Sequence, residues 1–116
     1  MKTLALVLLM FLPSMVALAA GDEGSNWGRM TEVYLSGDGH VLRVRFSRPI
    51  VNPARCEGGD FYVRELDDSA ASDRFLKTVL AAHLADRKVE FWIVGCTKSR
   101  WWGKTRPQIY DIYIGD

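Results

Sequence analysis

Histidine is nearly absent, and that excludes much catalytic chemistry. Only His40 and His83 occur in 116 residues. There is no His-Glu-x-x-His motif, no convincing Ser/His/Asp order and no Gly-rich phosphate loop. His83 falls on the apolar side of a helical pattern and is expected to be packed. His40 follows a turn and is expected in solvent. Cysteine is equally scarce, with Cys56 and Cys96 alone. Two cysteines without neighbouring histidines make a poor metal site. No cofactor is implied, and the chain is not read as an enzyme. An excess of either charge is also missing. There are 15 basic and 14 acidic residues, and without Lys2 the remainder carries 14 of each. A neutral chain is not a general polyanion binder, so nucleic acid is not an expected partner. Internal repeats and low-complexity segments are lacking too.

One long apolar run is present, and it stands at the start. Met1-Lys2 is followed by apolar residues 3–18, interrupted by Pro13-Ser14. Ala17-Leu18-Ala19 places small residues where a signal peptidase reads them. The run is shorter than the roughly 20 residues that cross a bilayer. The expectation is a cleaved leader over 1–19, one small domain over 20–116, and no membrane span afterwards. The final address would be the periplasm or the medium. A domain of this size benefits from a staple. Export leads to an oxidising compartment, where Cys56 and Cys96 are expected to pair.

The rest of the chain reads as short strands around one helix. Residues 30–35 alternate, with Val33 and Leu35 on one face and Glu32 and Tyr34 on the other. Ser36-Gly37-Asp38-Gly39 is a turn. Residues 40–47 return, with Leu42, Val44 and Phe46 inward and Val41, Arg43 and Arg45 outward. Pro49, Pro53 and Gly58-Gly59 break the next segment, which carries Cys56. Residues 60–66 form a third strand, with Phe61 and Val63 opposite Tyr62, Arg64 and Leu66. Asp67-Asp68-Ser69 opens a helix over 69–86, its acids beside the positive end of the dipole. Phe75, Leu76, Val79 and Leu80 are expected to bury. Residues 89–94 alternate as a fourth strand, Gly95 to Pro107 is a loop, and 109–114 form a fifth.

The order β-β-β-α-β-β is that of the OB-fold, a five-stranded barrel with its helix after the third strand. The fold expected is mainly β with one helix, in OB-like form. The alternative is an open antiparallel sheet packed on one helix.

The run Phe75-Leu76, Leu80-Ala81-Ala82, then Lys88-Val89-Glu90-Phe91-Trp92-Ile93-Val94-Gly95-Cys96, and finally Ile109-Tyr110-Asp111-Ile112-Tyr113-Ile114, carries a resemblance. It resembles the carboxy-terminal half of small exported bacterial proteins. Among these are the receptor-binding B subunits of subtilase-type and pertussis-like toxins. The resemblance spans residues 75–114 and implies an exported OB-fold binding module, with a glycan as ligand and a homo-oligomeric ring as a possible assembly.

On an OB-fold the outer face of the second and third strands, with two flanking loops, forms the usual ligand surface. Mapped here it would hold Arg43, Arg45, Tyr62 and Arg64. Its rim would hold Asp38, His40, Arg100, Trp101 and Trp102. Residues 97–106 carry four cations and no acid. Arginine and tryptophan carry binding energy at interfaces. The partner expected is a glycan, an envelope polymer or another exported protein; in the last case the chain would be structural or inhibitory. The competing reading is that the arginines form cross-strand ion pairs with Glu32, Glu90 or Asp111, and that a tryptophan ring folds back onto the barrel mouth.

Overall fold

The computed structural model describes residues 21–116. The leader expected over 1–19 lies outside the described residues. Six strands and one helix follow in order: β1 (Asp22–Gly24), β2 (Met30–Leu35), β3 (Val41–Phe46), β4 (Tyr62–Glu65), α1 (Ala70–Leu84), β5 (Val89–Cys96) and β6 (Pro107–Ile114). The mainly-β reading with one helix holds. The sheet has six strands, in the order β1-β5-β6-β4-β3-β2, and is not closed into a barrel. Nor is it wholly antiparallel, because β4 and β6 run parallel through the pair Val63 and Gln108. That pairing requires a crossover, which α1 and β5 supply.

β1 is the strand that side-chain alternation does not reveal. Its residues Asp-Glu-Gly pair with Val94, Ile93 and Trp92 of β5. Residues 25–29 then lead directly from this sheet edge to the opposite one, β2. Gly28 exchanges both backbone hydrogen bonds with Val89, at 2.9 and 2.8 Å. A Cβ at Gly28 would lie 2.8 Å from Arg48 Cγ and 2.9 Å from Phe46 Cζ, so only glycine fits this corner. The sheet is therefore strongly curled, with its two edges joined by a short strap.

The core sits inside that curl. Leu42 and Val44 of β3, Phe91 and Ile93 of β5, and Ile109 of β6 are buried together. Val79 and Ala82 bring α1 onto them, while Phe75 and Leu76 pack at half burial. The start of α1 was legible. Ser69 caps it, accepting from the Ser72 amide at 3.1 Å. Asp67 accepts from the Ser69 amide and the Ser72 hydroxyl, both at 2.9 Å. The Ser69 hydroxyl beside it, together with these two bonds, holds the Asp67 carboxyl well below its usual range, at about 2. One expectation fails: Leu80 is not in the core but 36% exposed. The buried stripe runs through Ser72, Val79 and Ala82, and Leu80 stands beside it.

Cys56 and Cys96 are paired, with Cα atoms 5.6 Å apart. The bond ties the segment before β4 to the end of β5 across a separation of 40 residues. In the chain-entropy model such a loop stabilises by roughly 4 kcal/mol. Among the described residues no helix is long and apolar enough to cross a membrane.

Candidate functional site

The outer face of β3 and β4 is built on a second, smaller core. Val41, Phe61 and Val63 are buried there, with Trp101 packed against them. Register explains the set: Arg43 stands opposite Val63 and Val44 opposite Tyr62. Phe61, Val63 and Glu65 thus share the outer face with Val41, Arg43 and Arg45. Tyr62 and Arg64 belong to the opposite set. This corrects two of the expected surface residues. Tyr62 is fully buried in the main core, where its hydroxyl accepts from the Val51 amide at 2.9 Å. Burial raises its phenol above the ordinary tyrosine range. Arg64 does not stand beside Arg43. It stacks on Phe75 of α1 at 4.1 Å and donates to the carbonyl oxygens of Tyr110, at 2.6 Å, and Ile109, at 3.3 Å.

Arg43 and Arg45 do share the outer face, and both bond to Glu32 Oε1, at 2.9 and 3.1 Å. Cross-strand ion pairing therefore accounts for part of their charge. Glu90 and Asp111, the other acids considered for such pairs, bond to neither arginine. Arg43 is also held by aromatic rings. Its guanidinium lies 4.6 Å from the Trp102 ring, 4.9 Å from Tyr34 and 5.2 Å from Phe61. The negative ring faces satisfy a cation that strands alone would leave half desolvated. Its Nε is buried and has no hydrogen-bond partner.

The segment expected as an exposed loop is a folded hairpin. Trp101 and Lys104 bridge, the Trp101 amide donating to the Lys104 carbonyl at 2.8 Å. The two residues between them, Trp102 and Gly103, have φ of 54° and 82°. Positive φ at both positions is the pattern of a type I′ turn. Glycine accepts it readily, but a tryptophan there is unusual and strained.

The strain is held by a buried cation. Arg106 is 4% exposed and was not singled out from the sequence. It donates to the carbonyl oxygens of Trp101, at 2.9 Å, and Trp102, at 3.0 Å, and to Asp60 at 2.7 Å. Its guanidinium covers Phe61 at 4.2 Å. Gly58 admits it, because a Cβ there would lie 2.2 Å from Arg106 Nη1. The only sequence signal for this pin was a run of cations without an aliphatic anchor.

The two tryptophans have different fates. Trp101 folds inward, and its indole N–H donates to Glu65 at 2.9 Å. Glu65 also accepts the amides of Lys98 and Ser99. Trp102 meets Tyr34 and Phe61 edge-on, each with centroids 5.4 Å apart, yet stays 45% exposed. Arg100 turns aside to Glu57 through two hydrogen bonds. That contact holds the Glu57 carboxyl below its ordinary value and raises Arg100. The structure thus brings together Arg43, Arg45, Trp101 and Trp102, with Tyr34 and Phe61. It leaves Arg100 at the margin, Arg64 behind the sheet and Tyr62 in the core.

His40 lies at the far end of this face, between Asp38 at 3.6 Å and Asp68 at 3.8 Å, all three exposed. Among the described residues no cluster of histidine, cysteine or acid side chains is arranged to hold a metal. Comparison of the chain with protein-family models, with curated proteins and with solved structures gave no match.

Proposed function

We propose that this protein is an exported, non-catalytic binding module that presents Trp102 to a flat ligand, a sugar ring of a glycan or envelope polymer. The observation that carries the reading is the state of Trp102. A bulky residue in the left-handed region costs about 1–2 kcal/mol. The fold retains it with a buried arginine beneath its carbonyl and with two rings, Tyr34 and Phe61, and the Arg43 guanidinium against its side chain. Strained residues over-determined by their surroundings cluster at functional positions. The half-exposed indole offers a rigid stacking face, and Arg45, which lies over the Phe61 ring that Trp102 also meets, leaves part of its charge in solvent.

Export is supported by the paired cysteines, which are characteristic of oxidising compartments, and by the leader read over 1–19. An OB-like architecture is proposed as the finer description of the fold. It is supported by the order β2-β3-β4-β6-β5, by the parallel β4/β6 pair and by the Gly28–Val89 bridge between the two ends of that order. The resemblance to toxin B subunits belongs to the same proposal, as does assembly into a homo-oligomer. The second reading, docking on another exported protein, uses the same indole as a wedge. Screening the purified protein on a glycan array, alongside capture of exported proteins, tests the two. Glycan binding that disappears in Trp102→Gly supports the first reading.

A further inference from the structure

β4 and β6 pair through one residue couple and then part. Where they part, a cleft of about 440 Å³ opens. Residues from both faces of β4 line it, Arg64 as well as Glu65, with Leu66 just past the strand, which the separation of the strands permits. Arg64 stands where ladder bonds are missing and satisfies the Ile109 and Tyr110 carbonyls through Nη1 alone. Its Nε and Nη2 make no hydrogen bond to the described residues. Burial pulls its guanidinium below the usual arginine range, the mark of a partly desolvated cation.

The hydrogen-bonding capacity around the cleft is uneven. Glu65 is occupied: Oε1 accepts from the Lys98 amide, and Oε2 from the Ser99 amide and the Trp101 indole. Asp67 Oδ1 is occupied by the helix cap. The donors are free. Lys98 Nζ forms no ion pair among the described residues, and the Ser99 hydroxyl and the Gln108 amide N–H groups donate to none of them. Gln108 uses only its oxygen, on the Glu65 amide. Tyr110, 60% exposed, also lines the cleft. Spare cationic and neutral donors thus share the cleft with an exposed aromatic residue, Tyr110, and with the Asp67 carboxylate as acceptor.

We infer that this cleft is a second subsite, for a carboxylate carried on a sugar ring: a hexuronate unit of an acidic polysaccharide. Arg64 and Lys98 would hold the carboxylate. Tyr110 would cover the apolar ring face, while Ser99, Gln108 and Asp67 would meet the hydroxyls. The volume exceeds that of a lone carboxylate and admits the ring. The inference deepens the proposed function and rests on it for the polymer class. Glu65 is the partition between the two places, facing the cleft on one side and holding Trp101 on the other.

The test is calorimetric titration of the purified protein with a uronate trisaccharide and with its methyl ester. The acid should bind at least about tenfold more tightly than the ester, because the ester has lost the charge that two cations recognise. Lys98→Gln and Tyr110→Ala should each weaken the acid roughly tenfold, the range expected for a charged contact and a stacked ring. Both side chains are exposed, and an unchanged melting temperature checks that the fold is intact. A single uronate residue should bind equally to wild type and Trp102→Gly, which separates this cleft from the indole. Equal affinity for acid and ester, or no effect of either cleft variant, would overturn the inference. So would an acetylated dipeptide with a free carboxylate competing as well as the uronate. If the trisaccharide fails to bind while Trp102 still governs binding of a neutral glycan, this inference falls and the proposed function stands.

Discussion

Replacing Trp102 by glycine and by alanine separates backbone strain from ring contacts. Both changes remove the same indole, so both lose its contacts with Arg43, Tyr34 and Phe61. They differ by one Cβ at a φ of 54°. Holding that Cβ in the left-handed region costs about 1–2 kcal/mol. Glycine avoids the cost but gives the unfolded chain more freedom, which takes back about 0.4–1 kcal/mol. The balance favours glycine by roughly 0.5–1 kcal/mol. At an ordinary position alanine would be the more stable of the two. Chemical denaturation of the two variants measures the difference directly. Alanine more stable than glycine by about 0.5 kcal/mol or more would show that residue 102 is not strained, and the case for a functional indole would lose its basis.

Other consequences concern the core and the helix cap. Phe91→Ala, at the fully buried centre of β5, should cost roughly 3–5 kcal/mol in denaturant unfolding. Leu80→Ala should cost less than about 1 kcal/mol, since the side chain is partly in water; a loss as large as that of Phe91→Ala would restore Leu80 to the core. Asp67 titrates at about 2 in the folded chain, against roughly 3.9 unfolded. Its contribution to stability is therefore complete above about pH 4 and is lost as pH falls through about 2. Asp67→Asn should remove that part of the acid sensitivity, and parallel stability curves for the two proteins between pH 5 and 2 would contradict it.

Much of the fold was legible because half-buried strands alternate. Residues 30–35, 41–46 and 89–96 carry a clear period of two, and Ser69 with its flanking acids marks a helix start by chemistry alone. The face of β4 was not legible, for a physical reason. Each of its side-chain sets mixes one apolar or aromatic residue with one charge, Tyr62 with Arg64 and Val63 with Glu65, since the inner set meets the main core and the outer set is covered by the tryptophan hairpin. Alternation then gives the parity but not the sign, and Tyr62 was placed on the wrong side. β1 escaped because it pairs through its backbone, and nothing in Asp-Glu-Gly reports a partner edge. Part of the candidate face was legible by residue type. Arg43, Arg45, Trp101 and Trp102 do converge. What converged with them was hidden: Arg106 reads as one more surface cation until Gly58, Asp60 and two carbonyl groups are seen to enclose it.

The central claim is that Trp102 is held out for a ligand rather than folded in for stability. Trp102→Gly tests it most directly, because it deletes the ring and relieves the backbone at once. Affinity for a glycan captured by the wild-type protein and melting temperature should be measured on the same two samples. The account predicts affinity weakened by roughly 1–3 kcal/mol, the worth of a stacked ring, with a stability change within about 1 kcal/mol. Full affinity retained with a large fall in melting temperature would contradict it and leave Trp102 as a cover for the outer face of the sheet.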